Sequence, residues 1–273
     1  MKKIILAFDG THFSEGAFEF ARQLNKLSPV LLTGVFLPQS QLSSLWTYSK
    51  SLTAPLTPAI EKEDSSLVQE NIDRFKELCE NNGIEYRVHK DFYDFVLPEL
   101  KRESIYSDMI ILGSEVFYEN VGIQDSNVYL QQVLHDVVCP VVLVPEKFDF
   151  PESIIIAYDG TENAIFAIKQ FAYLFPELCN LPSMLVYASK EHNSEIPHKE
   201  MVEELAGWHF KNLTIYKLDI NPRKHFSAWI SERNSSILVN GSFGRSGLSQ
   251  LFKRSFINEV IGDHKLPVFV SHR

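Results

Sequence analysis

One pattern constrains this chain more than any other: it contains the same unit twice. Lys3-Ile4-Ile5-Leu6-Ala7-Phe8-Asp9-Gly10-Thr11 returns as Ser153-Ile154-Ile155-Ile156-Ala157-Tyr158-Asp159-Gly160-Thr161. Met109-Ile110-Ile111-Leu112-Gly113-Ser114 returns as Ile237-Leu238-Val239-Asn240-Gly241-Ser242. Cys139-Pro140-Val141-Val142-Leu143-Val144 returns as Leu266-Pro267-Val268-Phe269-Val270-Ser271. Three landmarks recurring in one order define two copies of a supersecondary unit. The 273 residues suit two domains of ordinary size. The expected boundaries are 1–147 and 152–273, with the joint near Glu146 to Pro151.

Within each copy, short apolar runs alternate with segments of helical period. The first copy reads as strands over 4–8, 30–36, 84–89, 108–112 and 141–144, with helices over 14–27, 63–81, 95–103 and 127–135. Ser14 is the expected N-cap of the first helix, and Asn82-Gly83 stops the second. The second copy reads as strands over 153–158, 183–188, 212–218, 236–240 and 267–271. Its helices are expected over 162–174, 198–210, 222–233 and 256–263. Near-continuous apolar strands separated by helices imply a parallel sheet covered on both faces. Right-handed crossovers then make each copy a doubly wound α/β domain. Ligands of such domains sit at the carboxyl ends of the strands, where the strand order reverses. Those ends carry Asp9-Gly10-Thr11 and Asp159-Gly160-Thr161 after strand one, and Gly113-Ser114 and Gly241-Ser242 after strand four.

Composition excludes several classes. A net charge of −9 disfavours general nucleic-acid binding, which needs a cationic face. The apolar run after Met1-Lys2-Lys3 ends at Asp9, too short for a signal peptide. No apolar run reaches membrane-spanning length. Cys79, Cys139 and Cys179 are odd in number and far apart, so they form neither a disulfide framework nor a metal motif. A cytoplasmic protein is expected. His192 and His198 lack a metal-ligand spacing, and no Gly-x-Gly-x-x-Gly, Walker A or Gly-x-Ser-x-Gly pattern occurs.

The Asp-Gly-Thr strand ends, the glycine loop at 241–255 and the closing Leu-Pro-Val-Phe-Val run resemble the universal stress protein family, and the likeness covers essentially the whole chain. The resemblance implies two flavodoxin-like (adenine nucleotide alpha hydrolase-like) domains, each with a five-stranded parallel sheet of order 3-2-1-4-5. It also implies pairing of the two domains through their last strands as an intramolecular pseudo-dimer. The family's ATP-binding members carry Gly, two residues, Gly, nine residues, Gly, then Ser or Thr. Gly241 and Gly244 fit, nine residues from Arg245 to Lys253 follow, Arg254 replaces the third glycine, and Ser255 is kept. The resemblance thus assigns Asp159, Gly160, Thr161, Gly241, Ser242, Gly244, Arg245, Arg254 and Ser255 to a nucleotide site. Arg254 cuts both ways: its bulk fills the space a glycine leaves, while its guanidinium suits phosphate.

In the first copy Asp9, Gly10, Gly113 and Asn127 hold the counterpart positions. Val116 stands at the second glycine and Ser126 at the third, with Glu115, Glu119 and Asp125 adding negative charge. Phosphate binding is expected to be lost or greatly weakened there. Asp9 and Asp159 have a structural reading too, since Asp-Gly-Thr readily caps a turn or helix. The expected function is a stress-response binding protein that takes ATP or AMP, with Mg²⁺ if ATP, in its second domain and performs no defined turnover. A slow ATPase and a nucleotide-independent protein-interaction scaffold remain open, as does a homodimer. The 37–60 segment, with Leu42, Trp46, Tyr48 and Leu52, is expected to pack on its own domain or to join two chains.

Overall fold

The computed structural model describes residues 1–8, 12–37, 58–89, 96–115, 127–189, 194–220, 225, 228–230, 232–233, 235–241 and 265–272. Most of the 37–60 segment and the helix expected over 256–263 lie outside these residues. The chain forms two compact units, Met1–Cys139 and Pro140–Arg273.

The first unit contains strands β1 (Lys2–Phe8), β2 (Val30–Phe36), β3 (Glu85–His89) and β4 (Met109–Gly113). Its helices are α1 (Glu15–Leu27), α2 (Pro58–Asn81), α3 (Val96–Ile105) and α4 (Asn127–Asp136). The strands lie in the order β3-β2-β1-β4 and run parallel. β1 from Ile4 to Phe8 and the whole of β4 are apolar and buried, as a strand covered on both faces must be. β3 alternates exposed and half-buried residues and lies beside β2 alone among the described strands. Ser14 caps α1 as expected, its Oγ accepting the Ala17 N–H at 3.2 Å. Gly16, Ala17, Phe18, Phe20, Ala21 and Leu24 give α1 its buried face. An aromatic cluster fills the space under α1 and α2. Phe8 stacks on Phe13 at 4.7 Å and on Phe36 at 4.8 Å, while Phe75 meets Phe8, Phe18 and Phe36 edge-on.

The second unit contains β5 (Val141–Val144), β6 (Ser153–Ala157), β7 (Pro182–Ser189), β8 (Asn212–Asp219), β9 (Ser236–Asn240) and β10 (Val268–Val270). Helices α5 (Glu162–Leu174) and α6 (Lys199–His209) follow β6 and β7, and a single 3₁₀ turn spans Leu178–Asn180. The order is β5-β10-β9-β6-β7-β8. Within the second repeat the strands therefore stand third-second-first-fourth-fifth, the flavodoxin-like order, and all five are parallel. β5 comes from the first repeat in sequence but falls in the second unit. It pairs antiparallel with β10, Val142 opposite Phe269. The compact units thus divide at Cys139 and Pro140, ahead of the sequence joint near Glu146. Phe171, Phe175, Phe210 and Phe269, each no more than 1% exposed, form this unit's aromatic core.

Of the helix expected over 222–233, residues 225, 228–230 and 232–233 are described; 225 and 228–230 are helical, while 232–233 lie beyond the helix, with Glu232 in a turn.

Candidate functional site

The site is built where β6 and β9 end. The two strands pair in parallel from Ser153 with Ser236 to Ala157 with Asn240. The chain leaves both strands on one edge of the sheet, so Asp159-Gly160-Thr161 and Gly241 follow neighbouring strand ends.

Asp159 organises the turn after β6. Its Oδ1 accepts the Thr161 N–H at 3.0 Å and the Thr161 hydroxyl at 2.6 Å. Thr161 is the N-cap of α5, with extended φ/ψ, and its Oγ1 accepts the Ala164 N–H at 3.3 Å. Carboxylate, hydroxyl and helix N–H thus form a relay that fixes the start of the helix. The structural reading of Asp159 is realised through Oδ1 alone. Its Oδ2 carries no hydrogen bond among the described residues, so the same carboxylate keeps an acceptor for a ligand's N–H.

Gly160 adopts φ +82°, and a Cβ there would come within 2.7 Å of Pro197 Cβ. Backbone conformation and crowding both call for glycine at this position. Tyr158, fully buried, donates its hydroxyl to the Pro197 carbonyl at 2.8 Å. Burial, with the Asp159 charge next in weight, pushes the Tyr158 hydroxyl above the usual tyrosine range, so it stays a donor. The segment before α6 is therefore tied to the end of β6 by a hydrogen bond and by a close contact. Nothing in the local sequence signals this tie, because the partners are thirty-nine residues apart.

Gly241 sits against the first turn of α5. A Cβ on it would lie 2.3 Å from the Asn163 carbonyl carbon and 2.4 Å from the Ala164 nitrogen. The glycine at the head of the loop is thus required by backbone packing of strand four against helix one. Asn240, 2% exposed, accepts the Ser271 N–H on its carbonyl at 3.2 Å, which ties this corner to the end of β10.

The other assigned residues of the second crevice, Ser242, Gly244, Arg245, Arg254 and Ser255, lie outside the described residues. So do Asp9, Gly10 and Thr11 of the first copy. Gly113 closes β4 beside β1, where Ala7 pairs with Leu112, and Asn127 is the first residue of α4. Among the described residues no group of three or more His, Cys, Asp or Glu side chains is placed to hold a metal ion. No described helix is long and apolar enough to cross a membrane.

The architecture defines a doubly wound α/β protein in which the first and fourth strands of the second repeat end side by side. No protein-family profile and no curated protein sequence matches the chain. Solved structures do. A universal stress protein from Archaeoglobus fulgidus DSM 4304 superposes with a TM-score of 0.69 at 18% identity, over 100% of this chain and 96% of the other. A functionally unknown protein from Pseudomonas aeruginosa PAO1 gives 0.56 at 13% identity, over 99% and 92%. A universal stress protein in complex with cAMP matches 45% of this chain and 98% of its own at 16% identity, with a TM-score of 0.34. The chain has the universal stress protein fold.

Proposed function

We propose that the chain is a tandem universal stress protein, a stress-response binding protein of the cytoplasm whose second copy, 152–273, takes an adenine nucleotide. The first copy, 1–147, is its degenerate partner. The observation that supports this reading is the pairing of Ala157 with Asn240, after which Asp159 and Gly241 follow neighbouring strand ends. The open Oδ2 of Asp159 suits the exocyclic amino group of adenine. The basic loop residues Arg245 and Arg254, with Ser242, Gly244 and Ser255, supply phosphate donors in the sequence that follows Gly241.

Calorimetric titration of ATP and AMP into the full chain tests the proposal, with Mg²⁺ present for ATP. Saturable binding that an Asp159→Ala change weakens at least tenfold is the expected result. Absence of binding at millimolar nucleotide sinks it. Phosphate release in the same ATP mixture would move the assignment to a slow hydrolase.

A further inference from the structure

A cleft of about 510 Å³ opens on the helical face of the second unit, between α5 and α6. Its inner end is formed by Tyr158, Gly160 and Thr161 after β6, and its walls are two matching stripes. Glu162, Ile165, Phe166 and Lys169 of α5 face His198, Met201, Val202 and Leu205 at the start and along α6. Both stripes follow the i, i+3, i+4, i+7 spacing of a single helix face. Seven residues of helix give the groove a length of roughly 10 Å.

The first copy carries different side chains at the matching positions. α1 and α5 are both thirteen residues long and begin with glutamate. The fifth residue is Glu19 in α1 and Phe166 in α5; the eighth is Arg22 and Lys169. Glu19 holds the Arg22 guanidinium through two hydrogen bonds of 2.6 Å. Glu15, the counterpart of Glu162, pairs with Arg74 of α2. That Arg74 in turn lies 4.8 Å over the Phe13 ring. At these positions the first copy thus pairs Arg22 with Glu19 and Arg74 with Glu15. In the second copy a phenylalanine replaces the anion. Lys169, half-buried, carries no ion pair among the described residues, and the space around it is lined by Ile165, Phe166, Val202 and Leu205.

We propose that this groove, which adjoins the end of β6 at Gly160 and Thr161, is a second binding site and that it takes an amphipathic carboxylate. An unbranched chain of about eight carbons spans the roughly 10 Å between the ends of the stripes. Its apolar body lies between Phe166 and Leu205, and its carboxylate replaces the missing glutamate at Lys169. The volume falls within the range of small-molecule pockets, and an apolar lining with one fixed charge is their usual chemistry. An uncharged chain loses the ion pair, and a cationic one meets Lys169 head-on.

The test is calorimetric titration of the full chain with octanoate, octan-1-ol and octylamine. Octanoate is expected to bind saturably at one site, about fivefold tighter than the alcohol, with the amine weakest. Lys169→Gln removes the advantage of octanoate and leaves the alcohol unchanged. Phe166→Glu, which copies Glu19 of the first copy, abolishes binding of both; circular dichroism and thermal unfolding establish that each variant is folded. No saturable binding at millimolar octanoate overturns the proposal. So does octanoate binding to Lys169→Gln as tightly as to the parent. Lys169→Gln is expected to leave ATP and AMP binding unchanged, so failure of the nucleotide reading and failure of this one are read separately.

Discussion

Gly241 and Asn163 are in backbone contact: a methyl group on the glycine would stand 2.3 Å from the Asn163 carbonyl carbon. Neither partner can move cheaply, since one ends a central strand and the other lies in the first turn of α5. Gly241→Ala is expected to destabilise the second unit by about 2–4 kcal/mol, the cost of overpacking where the neighbour is backbone. Urea unfolding of the variant checks this. A change below about 0.5 kcal/mol would mean that the strand end and helix separate readily.

The Asp159–Thr161–Ala164 relay makes a second prediction. Thr161→Ala removes the N-cap acceptor and one donor to Asp159, and should cost about 1 kcal/mol. Thr161→Ser keeps both hydrogen bonds and should restore most of it. Amide exchange at Ala164 reports the cap directly and is expected to quicken in the alanine variant alone.

The three cysteines should be chemically quiet. Cys79 and Cys179 are buried, and desolvation pushes the thiols of Cys79, Cys139 and Cys179 up to about 12. At neutral pH that lowers the thiolate fraction roughly a thousandfold below a free cysteine. Labelling with a disulfide reagent should therefore be slow in the native protein and complete on addition of guanidinium. Fast labelling of Cys79 or Cys179 in the native state would contradict their burial.

Acid should weaken the α1 surface. The hydrogen bond from Arg22 is the largest cause holding the Glu19 carboxyl below its ordinary value of 4.5, and partial burial opposes it. A carboxylate depressed in the folded state stabilises above its unfolded pKa, and that contribution disappears as pH falls through the folded value. Because the Glu19 side chain is 40% exposed, screening limits the effect. Glu19→Gln is expected to cost about 0.5 kcal/mol at pH 7, and the gap to the parent should close below pH 4.5. Paired urea titrations across that range measure it.

Much of the scaffold was legible in the sequence because its signals are local. Ile4 to Phe8, Ile154 to Ala157 and Ile237 to Val239 are apolar on both faces, which only a covered strand needs. Helix α5 runs over 162–174 as its periodicity predicts, since the Thr161 cap and the apolar spacing agree. What escaped was non-local. The hydrogen bond from Tyr158 to Pro197, the contact of Gly241 with Asn163 and the cleft between α5 and α6 each join segments distant in sequence. Gly241 shows the difficulty best. A glycine at the end of strand four reads equally as room for a phosphate or as room for a helix, and the helix is there.

The placement of β5 bears on how this chain can be divided. A fragment that starts at Glu152 keeps every motif of the second repeat and loses Val141–Val144. Its three-residue final strand, Val268–Val270, would then present bare amide and carbonyl groups where Leu143, Val142 and Val141 stood. An uncovered apolar strand of this kind recruits whatever strand it meets, including its own copy. The first repeat therefore lends the second a covering strand. Expression trials, gene fusions and any search for single-repeat forms should place the cut before Pro140, not at the seam that the repeats suggest.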